Sequence, residues 1–239
     1  VVKPGTSQAA PQPGTLYVVA TPIGNLGDLT FRALATLKNA DAVVAEDTRH
    51  TKKLLNHYGV ATPLLSYHVR SGERKRTELL ERLAGGQSLA LVSDGGTPLV
   101  SDPGADLVGA ARDAGLAVMP VPGASAVTAA LSAAGYSADR FSFVGFLPHK
   151  KGRQTALRRF PELVQPVVIY ESPHRLVKLL GELTEHYPAA AICVARELTK
   201  AYEEFRSGTP DQLKKHYEAH PPKGEVVVIA SIGRPSRNG

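Results

Sequence analysis

The residues best suited to chemistry lie in three short runs rich in glycine, proline and small polar side chains. They are Ala20-Thr21-Pro22-Ile23-Gly24-Asn25, the stretch from Ser93-Asp94-Gly95-Gly96-Thr97-Pro98 through Ser101 and Asp102 to Gly104, and Val121-Pro122-Gly123-Ala124-Ser125-Ala126. Each follows an apolar run that reads as a buried strand. Glycine lets a backbone approach a ligand closely, and proline fixes φ and removes a donor. Such loops can present main-chain N–H and C=O groups in a set geometry, and ligands of open α/β sheets sit at the carboxyl ends of strands. Asp94 adds a carboxylate able to accept from a ligand hydroxyl or amine. Asp28 and Asp102 read as caps of the helices that follow. No run has the GxGxxG spacing and the chain contains no GxxxxGK[ST], so neither a dinucleotide fingerprint nor a P-loop is present.

A polar tetrad, Glu46-Asp47-Thr48-Arg49, closes a further apolar run. Two segments concentrate positive charge: residues 68–76, with Arg70, Arg74, Lys75 and Arg76, and residues 149–160, with Lys150, Lys151 and Arg153. The formal net charge is +6 over 239 residues. Two readings stand for the basic segments, solvated helix faces or a surface that tracks phosphates. Aromatic residues make up 6% of the chain and Trp is absent, which argues against a broad base-stacking platform.

Other classes recede. No apolar run approaches the ~18 residues of a membrane span, and no secretory h-region stands near the start. A single cysteine, Cys193 in the apolar run "AAICVA", excludes an internal disulfide and reads as a buried thiol, in keeping with a cytoplasmic location. His216 and His220 have i, i+4 spacing but no further ligand context, so they read as a solvated helix face and no metal is expected.

The elements that must position these residues alternate. Residues 1–14 read as a disordered Pro/Gly/Gln-rich tail. Strand patterns then fall at 15–21, 41–46, 62–67, 88–93 and 116–121, with helical patterns at 29–40, 50–59, 73–86 and 105–115. Regular βαβ alternation predicts a mostly parallel sheet covered by helices. From about residue 121 the pattern loosens, with strands at 141–148, 166–171, 190–197 and 225–231, and a polar-alternating segment at 201–208 that reads as an edge strand. The expectation is an α/β protein of two α/β domains: residues 15–122 with a mostly parallel sheet, and residues 123–233 with a mixed sheet. Residues 234–239 form a tail, and the cleft between the domains is the default ligand site.

Taken in order over residues 15–232, the runs "ATPIGNLGDLTFRALATLKNADAVVAEDTRHTKKLL", "SDGGTPLVSDPGADLV", "VPGASAVTAAL", "FVGFLP", "YESPHRL" and "RELTKAYEEFRSG" resemble the ribosomal RNA small subunit methyltransferase I family. That family lies in the tetrapyrrole-methylase class of S-adenosylmethionine (SAM) methyltransferases. The resemblance implies a homodimer with SAM in the interdomain cleft. It also implies 2′-O-methylation of a cytidine ribose in the decoding region of 16S rRNA within the small ribosomal subunit. Carried over by position, it implies SAM contacts at Pro22, Ile23 and Gly24, at Asp94, Gly95, Gly96 and Ser101, and at Ser125 and Ala126. From the second domain it implies Tyr170, Ala195, Arg196, Lys223, Gly224 and Glu225.

Methyl transfer to a ribose oxygen needs that oxygen aligned with the methyl group and relieved of its proton. Asp47 is the first expectation for that base, Glu46 the second; the competing reading makes Asp47 a helix cap in an ion pair. Lys200 is a further catalytic expectation, or steers the RNA backbone, and Arg49 is placed to bind an adjacent phosphate. Two other functions stay open: methylation of a small tetrapyrrole-like acceptor, and an RNA-binding assembly factor without turnover. The "EDTRHT" segment and the basic clusters argue against the first, the intact ligand loops against the second.

Overall fold

The computed structural model describes residues 11–68 and 71–233. Residues 1–10 of the expected leading tail, Arg70 and residues 234–239 lie outside the described residues. The chain divides after Ser125 into two compact units.

The first unit is built on β1 (Thr15–Val19), α1 (Phe31–Asn39), β2 (Ala42–Ala45), α2 (Thr48–His57), β3 (Leu64–Ser66), α3 (Gly72–Ala84), β4 (Leu89–Val92), α4 (Ala105–Asp113) and β5 (Ala117–Val121). Its five strands are all parallel, in the order β3-β2-β4-β1-β5. Helices cover both faces, so β2 and β4 are buried at every position and read as unbroken apolar runs. Alternate strand residues separate the faces. Tyr17, Val19, Val43, Ala90 and Val92 pack with Ala33 and Leu37 of α1 and Leu55 of α2. Leu16, Val44, Leu89 and Leu91 pack on the opposite side with Leu79 and Leu83 of α3 and Leu107 and Ala111 of α4.

Two expected caps differ. Asp28 lies in a single 3₁₀ turn whose cap is Asn25, and Thr30 caps α1 by accepting from the Ala33 N–H at 3.1 Å. α4 starts after Gly104 at φ 114 with no side-chain cap, so Asp102 is not its cap. A left-handed residue at that position suits glycine, and it turns the chain so that Asp102 meets the Ser93 hydroxyl instead.

The second unit comprises α5 (Ala126–Ala133), β6 (Ser142–Phe146), α6 (Arg153–Arg158), β7 (Val167–Glu171), α7 (Pro173–His186), β8 (Ala191–Arg196), β9 (Glu204–Gly208), α8 (Pro210–Ala219) and β10 (Val226–Ser231). The strand order is β6-β7-β10-β8-β9, with β6 parallel to β7 and the other pairs antiparallel. β9 is the edge strand that its polar alternation predicts. One sheet face, including Val167, Ile169, Ile192, Val194, Val226 and Val228, packs on Leu157, Leu176, Leu183 and Leu213 of α6, α7 and α8. Cys193 is buried, and burial pushes its thiol up.

Candidate functional site

The parallel order sets β4, β1 and β5 side by side. The three Gly/Pro loops therefore leave neighbouring strand tips. Thr21 and Gly96 exchange both main-chain hydrogen bonds, at 3.0 and 2.9 Å. The Thr21 hydroxyl donates to the Ser93 carbonyl (3.3 Å), the Ala20 N–H to the Val121 carbonyl (3.1 Å) and the Thr97 hydroxyl to the Ala124 carbonyl (3.2 Å). The glycines make this stitching possible. A Cβ on Gly95 would stand 3.1 Å from the Pro22 carbonyl oxygen, and Gly96 has φ 84 with Ile23 against it. Their first duty is thus loop against loop. Leu99 and Ser101 hold left-handed backbone at φ 71 and 68. Such strain in non-glycine residues persists where the surroundings over-determine it, typically at ligand clamps.

Carboxylates gather beside these loops. Glu46 follows β2, the neighbour of β4, and burial raises its carboxyl above the usual range; Asp94 and Asp102 raise it further while His68 opposes them. Burial also raises Asp102, against a hydrogen bond from Ser93. Asp94 is exposed and acts on both. Asp47 behaves oppositely. It caps α2, accepting from the N–H groups of Arg49 (2.8 Å) and His50 (3.3 Å), and pairs with the Arg49 guanidinium at 3.3 Å. The Arg49 bonds hold its carboxyl below the ordinary value. The two neighbouring carboxyls are thus pushed in opposite directions, Glu46 up and Asp47 down.

In the second unit, Tyr170 is in register with Val227, and Val227 with Ala195, so the three form a row across β7, β10 and β8. Phe143 and Phe146 flank the Tyr170 ring, with centroids at 4.9 and 5.6 Å. At the end of the same strands, Arg196 donates to Glu204 (3.1 Å) and to the Lys223 carbonyl (3.3 Å). The Glu225 N–H donates to the Glu197 carboxylate at 3.1 Å, and Lys200 sits 2.8 Å from both Glu197 and Glu225. Glu197 and Thr199 adopt φ 52 and 65, and a Cβ on Gly224 would overlap the Glu197 side chain. Burial works to lower Lys200, but the bonds to Glu197 and Glu225 outweigh it and raise it. Two carboxylates thus hold Lys200 as a cation.

The basic segments are less available than their composition suggests. Arg153 is 3% exposed, and its guanidinium is engaged by Glu182 (2.8 Å) and Glu171 (3.3 Å). It is a core residue and not part of an RNA-binding surface. Its sequence signal is the i, i+4, i+7 phase shared with Leu157 and Phe160, both fully buried. Lys150 and Lys151 are exposed. Lys75 pairs with Glu78 (2.9 Å), Arg76 with Glu73 (3.6 Å) and Asp106 (3.8 Å), and Arg74 is exposed. Among the described residues no three His, Cys, Asp or Glu side chains group closely enough to hold a metal. No described helix is long and apolar enough to cross a membrane.

A family model for tetrapyrrole (corrin/porphyrin) methylases matches residues 15–214. Ribosomal RNA small subunit methyltransferase I of Synechocystis sp. is 46% identical, over 93% of this chain and 80% of its own length. Its namesake from Halalkalibacterium halodurans is 48% identical over 90% and 75%. Solved structures share the fold at low identity. Diphthine synthase gives a TM-score of 0.68 at 18% identity, covering 91% of this chain and 89% of that one. Uroporphyrin-III C-methyltransferase from Thermus thermophilus, in complex with S-adenosylhomocysteine, gives 0.64 at 20%, covering 91% and 97%. With the family model spanning most of its length and relatives near half identical, the chain belongs to the ribosomal RNA small subunit methyltransferase I family of the tetrapyrrole methylases.

Proposed function

We propose that this chain is a SAM-dependent methyltransferase that methylates the 2′-oxygen of a cytidine ribose in the decoding region of small-subunit rRNA. The observation that carries the cofactor reading is the group of carboxylates, Glu46, Asp94 and Asp102, beside three strand-tip loops that are hydrogen-bonded to one another. Burial raises the Glu46 carboxyl, and repulsion from Asp94 and Asp102 raises it further. A cationic ligand relieves that repulsion, and SAM carries both a sulfonium and an ammonium group. The donor set thus fits the cofactor, with main-chain groups of residues 22–24, 94, 95 and 101 holding its uncharged parts and Gly96, bonded to Thr21, bringing the loop close. Tyr170, Ala195, Arg196, Lys223, Gly224, Glu225, Ser125 and Ala126 complete the proposed contact set by resemblance.

The cofactor supplies an electrophilic methyl group when bound. The protein's part is to orient the ribose hydroxyl and accept its proton. Glu46 is the better acceptor, because its environment favours the protonated form. Asp47 fixes the first turn of α2 and the Arg49 guanidinium beside it. The names of the relatives at 46–48% identity support rRNA as the acceptor. A cytoplasmic homodimer is part of the same reading. The test is transfer of labelled methyl groups to small ribosomal subunits, with mass mapping of ribose methylation. Label on a base, or none on small-subunit rRNA, overturns it.

A further inference from the structure

We infer that the outward face of α2, carrying Arg49, Lys52 and Lys53, is the surface along which the RNA backbone is held; this rests on the rRNA reading above and names where that substrate lies. Arg49, Lys52, Lys53 and Asn56 stand at i, i+3, i+4 and i+7, which places them on one helix face, and all are exposed. Thr51 and Leu55 turn the opposite face into the core. Residues 48–72 contain no Asp or Glu. Among the described residues no ion pair joins Lys52 or Lys53 to a carboxylate, in contrast to Lys75, Arg76 and Arg153. Helix stability does not account for the charges. The N-terminal end of a helix is the positive end of its dipole and disfavours cations, yet Arg49 and His50 lie in the first turn.

The placement connects this face to the proposed chemistry. α2 begins two residues after Glu46, and the Tyr58 hydroxyl at its other end donates to the Leu26 carbonyl in the loop after β1. A polyanion lying along α2 therefore runs past Arg49 toward the carboxylate group. Phosphates match this row of exposed cations, in which Arg49 is shared with Asp47 while Lys52 and Lys53 have no ion pair among the described residues.

The test compares the full-length protein with Lys52→Ala/Lys53→Ala and Lys52→Glu/Lys53→Glu. Binding to protein-free small-subunit rRNA and to small subunits is measured across a salt series. SAM affinity and thermal melting report on intact folding. Loss of two phosphate contacts lowers the slope of log K against log salt by roughly 1.4, at about 0.7 per contact on a single strand. The charge-reversed pair weakens binding further, and SAM affinity stays unchanged. An unaltered slope and affinity in both variants, with wild-type methylation of rRNA intact, overturns this proposal alone. Wild-type protein that neither binds nor methylates rRNA overturns the functional reading with it. If the variants lose affinity for subunits while no wild-type binding to protein-free rRNA exists, the face reads a ribosomal protein and the proposal is wrong.

Discussion

Replacing Arg153 by Ala separates a structural arginine from an RNA-contacting one. Its Nε donates to both Glu182 oxygens (3.0 and 2.8 Å), one terminal nitrogen reaches Glu171 at 3.3 Å and the other the Pro148 carbonyl at 3.3 Å. Burial disfavours the cation, but Glu182 and Glu171 more than compensate and keep it charged. Removing it leaves the two carboxylates in unequal positions. Glu171 still has Arg175 at 2.6 Å and the Ser172 N–H at 2.8 Å, whereas Glu182 keeps Gln154 at 3.2 Å. An uncompensated buried charge costs about 3–5 kcal/mol. With a urea m-value of about 2 kcal/mol/M, the midpoint of the second unit's unfolding falls by roughly 1.5–2.5 M. Hydrogen exchange in β7 and α7 locates the loss. A second variant, Arg153→Met/Glu182→Leu, removes both partners and recovers most of that stability, because apolar replacement of a buried pair is close to neutral. Lys150→Ala/Lys151→Ala stays within about 0.5 kcal/mol of the parent, as exposed positions do. An Arg153→Ala protein that melts like the parent but loses affinity for RNA would refute the burial argument.

Asp94→Asn weakens SAM binding about ten- to hundredfold, the value of a bond to a charged group, and weakens S-adenosylhomocysteine binding less, since that product lacks the sulfonium; calorimetry with both ligands reads the difference. SAM affinity declines as pH falls through the raised Glu46 range above 4.5, because protonation removes the attracting charge, and Glu46→Gln flattens the profile. For folding the sign is opposite: a carboxyl raised in the native state binds its proton more tightly there, so stability from Glu46 is present at low pH and is lost as pH rises through that interval. Glu46→Gln abolishes methyl transfer at saturating SAM, while Asp47→Asn retains the α2 cap and most of the rate; equal losses in single-turnover assays would return Asp47 to the role of base. Gly224→Ala places a Cβ against Glu197 at φ 81 and destabilises the turn by about 1–2 kcal/mol from backbone strain alone, plus the clash. Glu197→Ala in the same chain relieves the clash and not the strain, which a double-mutant cycle on urea midpoints resolves.

The loops were legible because glycine and proline mark turns by backbone chemistry that does not depend on neighbours. Their adjacency was not. It arises from the order β3-β2-β4-β1-β5, in which residues some 70 positions apart, such as Thr21 and Ser93, become partners. Glycine was read as room for a ligand, yet Gly95 faces Pro22: spacing records the need for a close approach without naming what approaches. The opposite shifts of Glu46 and Asp47 were equally hidden. Both carboxylates stand at the end of one strand; the bonds to Arg49 hold Asp47 down, whereas burial, with Asp94 and Asp102 beside it, pushes Glu46 up.

Charge was the least legible property, and for a definite reason. Counting lysines and arginines measures what a segment carries, not what it leaves unpaired. In residues 149–160 the helical phase of Arg153 with Leu157 and Phe160 already separated it from Lys150 and Lys151, although its partner Glu182 lies 29 positions away. For residues 68–76 the acids Glu73, inside the segment, and Glu78, two residues beyond it, sit within one helical turn of the bases they neutralise. α2 carries fewer cations than either segment; among the described residues no ion pair holds its Lys52 and Lys53, nor Lys150, Lys151 and Arg158 of residues 149–160. Residues 48–72 and residues 140–161 both lack Asp and Glu, so the absence of acids leaves two candidate faces, and the start of α2 two residues after Glu46 chooses between them.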